Sequence, residues 1–318
     1  MNRIYLERRA QHARADEAFE KFIRMKKRQN LSVETINFYN DCFRYFGEFF
    51  DVSQDCSKIS LDTYYDYIEH LQTNKKANPT TINSYLRGLR TILYYFMDEG
   101  YTLKFKMPMI KAEKQIKETY TEEELEKLLR KPDVKKCNFT EYRNWVMANY
   151  FLATGNRLRT VINIKIGHLD FENYLIFLGK TKNGKQQLIP MSKSLADILQ
   201  EYLSYRQGND DDYLFCSMHG EQLTRDGTST LMRKYNLRRG VRKTSIHMYR
   251  HTFAKNWILN GGDIFRLQKI LGHSTMDMVK NYVEMFDDDL KRDFETFNPL
   301  DNMLKDKKGD VIRMRNKR

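Results

Sequence analysis

The residues best able to do chemistry lie in the second half of the chain. His247-Met248-Tyr249-Arg250-His251 places two histidines and an arginine within five positions. His247 and Arg250 are three apart, so a helix sets both on one face. His247 and His251 are four apart, which is also the spacing of paired metal ligands on a helix. Met248, however, stands where a zinc protease of that pattern carries its glutamate, and Arg250 would repel a cation. The same arginine suits an anion. A second segment, Thr154-Gly155-Asn156-Arg157-Leu158-Arg159, ends one helix at Gly155 and lets Asn156 cap the next, with Arg157 in its first turn. Free N–H groups and a guanidinium there both point at a phosphate. The plainer reading is a corner between two helices with a surface arginine.

Two more segments complete the set. Thr181-Lys182-Asn183-Gly184 puts Lys182 at the tip of a β-hairpin, a place where lysines are usually solvated. Leu271-Gly272-His273-Ser274-Thr275 precedes a helix that Ser274 and Asp277 would open as a capping box. That helix carries Tyr282 about two turns on; taken alone, Tyr282 is one of 20 tyrosines and fits a core or a surface equally.

In this order, the four segments resemble the tyrosine recombinase (phage integrase) family. "HMYRHTFA" and "LGHSTMDMVKNYVEM" look like its H-x-x-R and L-G-H…Tyr boxes, with Tyr282 nine residues after His273 as that pattern requires. "TGNRLR" looks like the first arginine box and "TKNGKQQLIP" like the lysine hairpin. The resemblance implies that Arg157 and Arg250 grip the scissile phosphate and that His247 and His273 complete the pocket. It further implies that Lys182, with Lys180 and Lys185 close by, protonates the leaving 5′ oxygen and that Tyr282 attacks. Two features depart from the pattern. The acidic residue that often stands three places after the first arginine and braces it is here Thr160, and the helical region starts near residue 14, so no extra amino-terminal arm-site domain is expected.

The residue types suit that chemistry. Phosphodiester transfer builds negative charge on the non-bridging oxygens, which two arginines stabilise bidentately. A tyrosine phenol, with a pKa of about 10, must lose its proton as it attacks, and His247 is the candidate acceptor. The departing 5′ oxygen needs a general acid, the place of the lysine. A 3′-phosphotyrosyl bond keeps the energy of the broken ester, so rejoining needs no ATP; with the arginines doing the electrostatic work, no cofactor or catalytic metal is expected.

The rest of the sequence must position these groups. Apolar residues at helical spacing predict four helices between residues 14 and 103: around Phe19, Phe22 and Ile23; from Thr35 to Phe50; after a Ser60 cap, with Tyr64, Tyr67, Ile68 and Leu71; and after Asn78-Pro79, through Ile82, Leu86, Leu89 and Leu93 to Gly100. Residues 104–119, with five lysines around Pro108, read as a basic linker. Residues 120–304 read as a second domain. It opens with a capping box at Thr121 to Glu124 and continues with a helix around Asn144 to Ala153. Strands at 174–178 and 187–190 and further helices follow. Residues 1–13 and the basic stretch 305–318 read as tails. The expected fold is therefore mainly α with a small β-sheet; the resemblance makes the first domain a SAM-like core-DNA-binding domain and the second the catalytic domain.

Composition agrees. The chain has 318 residues, net charge +13, pI near 9.4 and mean hydropathy −0.72. Such a basic excess draws polyanions by Coulomb attraction and counterion release. No apolar run reaches the roughly 20 residues of a membrane span, and the charged first 14 residues lack a secretory signal, so a cytoplasmic location is expected. Cys42, Cys56, Cys137 and Cys216 are scattered singly with no C-x-x-C pair, which argues against a zinc ribbon or a redox motif and favours reduced thiols.

The partner expected is double-stranded DNA, closed on as a clamp. The resemblance implies four protomers at a synapse of two sites. It also implies that Leu290 to Leu304, with Leu290, Phe294, Phe297 and Leu300 at helix-like spacing, docks on a neighbour; folding back on its own domain is the alternative. Integration or transposition of a mobile element is the favoured role. The rival readings are a type IB topoisomerase-like enzyme and a non-catalytic DNA-binding protein of the same fold.

Overall fold

Serine, serine and asparagine caps open three of the first four helices. Ser32 accepts from the Thr35 amide ahead of α2 (Val33–Gly47), Ser60 forms a capping box with Thr63 ahead of α3 (Leu61–Thr73), and Asn78 accepts from the Thr81 amide ahead of α4 (Pro79–Asp98). The helix before them, α1 (Ala15–Arg28), has no capping side chain. Asp16 and Glu17 in its first turn and Lys26, Lys27 and Arg28 in its last instead complement its dipole. The computed structural model describes residues 12–113, 118–179, 187–272 and 275–276, and the chain divides into two compact units, Met1–Gln115 and Ile116–Arg318.

In the first unit the apolar stripes of the four helices meet in one core. Phe22, Phe46, Tyr64, Tyr67, Leu86, Leu89, Ile92, Leu93 and Phe96 are fully buried there. α2 and α4 pack tightly at Gly88, where an added Cβ would clash with Cys42 Sγ and stand 2.9 Å from Cys42 Cβ. Gly88→Ala would gain about 1 kcal/mol of helix propensity but overpack this crossing by about 1–3 kcal/mol. A net loss of stability, read as a lower thermal midpoint, is expected. Burial also pushes the Cys42 and Cys56 thiols up to about 12, and all four cysteines are free.

The stretch read as a basic linker is in part a packed strap. Met107 is fully buried in the first core, with Phe105, Met109 and Ile110 against it. Tyr64 donates its hydroxyl to the Pro108 carbonyl at 2.7 Å, and the Asn83 amide exchanges two bonds with the Ile110 backbone, at 2.9 and 3.1 Å. A strap of this kind has no helical period, which is why the apolar pattern did not reveal it.

The second unit is built round α6 (Phe139–Thr154). Ten of its residues are buried, on every face, the mark of a core helix rather than a surface one. Asn138 caps it, accepting from the Glu141 amide, so the helix starts five residues before the expected Asn144. Against it lie α5 (Glu122–Leu129), α8 (Lys193–Arg206), α9 (Arg225–Arg238) and α10 (His247–Leu259). The expected hairpin strands are β2 (Leu175–Leu178) and β3 (Gln187–Pro190); the Asn183-Gly184 turn lies outside the described residues. A short strand not foreseen, β1 (Leu169–Asp170), completes an antiparallel sheet in the order β1-β2-β3. Ile176, Leu178 and Ile189 face the core while Phe177 and Leu188 are exposed, the alternation of a sheet covered on one side. The last described helix, α11 (Ile264–Leu271), packs with α10 in a small separate cluster of Ala254, Leu267 and Leu271. No helix of the described residues is long and apolar enough to cross a membrane.

Candidate active site

The corner after α6 is set by polar groups turned inward. Thr154 donates its hydroxyl to the Tyr150 carbonyl at 2.8 Å, and the Asn156 side-chain amide donates to the Tyr150 hydroxyl at 3.1 Å. Asn156 is therefore buried and, contrary to the expectation from sequence, does not cap the next helix. Arg157 itself is the capping residue of α7 (Leu158–Val161), a single turn, and carries no side-chain cap bond. A turn this short offers no dipole worth counting, so Arg157 contributes through its guanidinium.

Where that guanidinium goes is set by two other helices. Arg250, one turn into α10, is only 5% exposed. Its Nη1 donates to the Gly155 carbonyl at 2.8 Å and its Nη2 to the Leu271 carbonyl at 2.8 Å. Nη1 of Arg157 donates to the same Leu271 oxygen at 3.4 Å. Two arginines from segments 93 positions apart thus meet at the last carbonyl of α11. The end of a helix leaves such carbonyls unpaired and negative, a natural seat for cations. This carbonyl also gives Arg157 a support that Thr160, in place of an acid, does not supply. Two guanidiniums on one neutral oxygen repel each other, and a bound anion relieves that repulsion.

The start of β3 reaches the same place. Gln187, the first residue of β3, donates its Nε2 to the carbonyls of Lys269 and Ile270, at 2.6 and 2.9 Å. Side chains from three distant segments therefore take the last three carbonyls of α11, directly ahead of His273. Lys182, His273 and Tyr282 themselves lie outside the described residues. His247 is exposed as the first residue of α10, one turn before Arg250.

Behind α10 lies a buried polar web that sequence reasoning missed. The Tyr249 hydroxyl donates to Asn236 Oδ1 at 3.1 Å, and Asn236 Nδ2 donates to the Tyr120 hydroxyl and the Lys243 carbonyl, both at 2.8 Å. The Tyr120 amide donates to Thr252 Oγ1 at 2.9 Å, and Lys243 Nζ pairs with Glu124 at 2.9 Å. Burial pushes the Tyr120 phenol up to about 12 and the Tyr249 phenol well above its ordinary value, so both stay protonated as struts. No local motif announces such a web, because its members are 132 residues apart in the longest link. Among the described residues, no group of three or more His, Cys, Asp or Glu side chains could hold a metal ion.

Known proteins share this arrangement of elements. The tyrosine recombinase XerD of Listeria innocua serovar 6a is 26% identical over 284 residues, 85% of this chain and 94% of that protein. The Tn1549 transposon integrase in complex with transposon right end DNA has a similar fold, with a TM-score of 0.68 at 19% identity over 85% of this chain and 94% of that one. So does the XerH site-specific recombinase bound to a palindromic difH substrate, with a TM-score of 0.66 at 22% identity over 86% of this chain and 82% of that one. Residues 17–116 match the model of the phage integrase SAM-like domain, and residues 118–288 match that of the phage integrase family. The two matches follow the two structural units and take in every segment that carries chemistry, and the chain therefore belongs to the phage integrase family.

Proposed function

We propose that this chain is a site-specific DNA recombinase that cuts and rejoins double-stranded DNA through a 3′-phosphotyrosyl bond to Tyr282. The observation that carries the reading is the meeting of Arg157 and Arg250 at the Leu271 carbonyl, two residues before His273. A phosphate seated there would face both guanidiniums, with His247 one turn away on α10. In the cleavage step the Tyr282 oxygen bonds to phosphorus as the bond to the 5′ oxygen breaks. The phenolic proton passes to His247, and Lys182 delivers a proton to the departing oxygen. His273 completes the pocket. Attack of a partner strand's 5′ hydroxyl reverses the step and restores the phosphodiester.

Binding has its own support. α9 turns Thr228, Met232, Tyr235 and Asn236 inward and leaves Arg225, Arg233, Lys234 and Arg238 exposed, a basic face for the DNA backbone. Four protomers would act at a synapse of two sites, with residues 290–304 docking on a neighbour. The reaction would take place in the cytoplasm and serve integration or transposition of a mobile element.

The test is covalent capture. The protein is incubated with supercoiled plasmid carrying its flanking genomic DNA, quenched with detergent and digested. A 3′-linked adduct whose peptide maps to Tyr282 is expected, and its DNA ends give the site. DNA binding without any adduct would identify a non-catalytic binding protein. Relaxation of plasmid by an isolated monomer, without a specific site, would identify a topoisomerase-like enzyme.

A further inference from the structure

Gln187 occupies a place that the cleavage chemistry described above does not use. It pairs across the sheet with Leu178, five residues after Lys182 in the sequence. Its side chain leaves the sheet and reaches the end of α11, where its two acceptors, the Lys269 and Ile270 carbonyls, can only accept. The amide nitrogen must therefore face them. The next residue after α11 favours the same contact. Gly272 has a φ of +61°, and an added Cβ there would stand 2.9 Å from Gln187 Oε1. One carbonyl further along α11, the Leu271 oxygen holds both arginines. The helix end is thus a common anchor for the base of the lysine hairpin and for the phosphate-gripping pair.

We infer that Gln187 is a positioning residue for DNA cleavage, fixing the base of the lysine hairpin to the end of α11 so that the general acid and the arginines address one phosphate. This rests on Lys182 as the general acid. Gln187 touches no DNA in this role and donates no proton to it. Its loss frees the hairpin base, and the step that suffers is protonation of the leaving oxygen. Misplacement of a catalytic group by about 1 Å costs on the order of 10²-fold in rate.

The experiment uses the full chain and a duplex bearing the site recovered from the adduct, made with either an ordinary 5′ oxygen or a bridging 5′ sulfur at the scissile phosphate. A thiolate, with a thiol pKa of about 8.5, leaves without protonation. Gln187→Met keeps the length and loses the donor; Gln187→Asn keeps the donor and falls short. Each variant is compared with wild type on the same substrate, after equal melting and equal DNA binding are established. On the oxygen substrate a loss of about 10- to 100-fold is expected for both. On the sulfur substrate both are expected within about threefold of wild type, as is Lys182→Ala. If Lys182→Ala is rescued by sulfur while the Gln187 variants are unimpaired, or equally slow on both substrates, the positioning role is wrong. If sulfur does not rescue Lys182→Ala, the general-acid assignment fails and takes the inference with it. If neither Gln187 variant folds, Gln187 is structural and the inference is likewise overturned.

Discussion

Arg250→Ala is expected to lower covalent adduct formation by about 10³-fold, the upper end of what removal of one preorganised donor costs. The structure makes this arginine more than a surface charge. It is buried, and two of its N–H groups are fixed on the Gly155 and Leu271 carbonyls. That pins the plane of the guanidinium before any substrate arrives, so no reorganisation is left for the moment of reaction. Truncation also removes the Arg250 bond to the Gly155 carbonyl and leaves the Leu271 carbonyl only the longer bond from Arg157, at about 1–3 kcal/mol for a buried group left unpaired. Lower stability should therefore accompany the lost activity. Arg250→Lys separates the two effects. An ammonium keeps the charge but is a point donor that cannot span both carbonyls, so DNA affinity should return while adduct formation stays low. Single-turnover adduct yield, DNA binding and thermal melting read the three quantities. Activity of Arg250→Ala within tenfold of wild type would place the phosphate elsewhere.

Gly155→Ala should be nearly as damaging, for a reason that starts in the backbone. Gly155 ends α6 with a φ of +62°, and a side chain there costs about 1–2 kcal/mol. The added Cβ would also stand 2.6 Å from Phe253 Cδ1 and 2.8 Å from Leu271 Cδ2. Overpacking of that kind costs about 1–3 kcal/mol. The two neighbours belong to α10 and α11, the helix that carries Arg250 and the helix whose last carbonyl receives it. Relief of the clash must therefore push apart the parts of the site itself. A loss of roughly 2–5 kcal/mol in stability is expected, together with more than tenfold lower adduct yield at temperatures where the variant remains folded. Melting curves and adduct assays on one preparation decide both. A stable and fully active variant would show that the helix ends can separate without consequence.

Much of this was legible in the sequence because the signals were local. Ser60, Asn78 and Thr121 cap helices where their positions said they would, and the strands at Leu175–Leu178 and Gln187–Pro190 sit where the alternation put them. The pairing of Arg157 with Arg250 was legible only through the order of the four segments, since nothing in either segment alone selects the other. What stayed hidden is what packs without a period or pairs at long range. Met107 is buried, and Ile110 partly so, in a strap that carries no helical repeat. Asn156 turned inward to Tyr150 because a buried hydroxyl needed a donor, a demand that exists only once α6 is buried on all sides. Gln187 looked like one polar residue among several on a hairpin, and only the end of α11 gives it a partner.

The isolated cluster of Ala254, Leu267 and Leu271 has a bearing on safety. An enzyme able to sever DNA is hazardous if it can cut while incompletely formed. Here the eight residues of α11 rest on a few apolar contacts with α10, apart from the main core of the unit, and such a small patch opens more readily than the whole domain. When it opens, Arg157 and Arg250 lose their shared acceptor, and Gln187 loses both of its own. Order in one short helix is thus an interlock. Local opening of α11 is therefore expected to abolish cleavage before the domain as a whole unfolds.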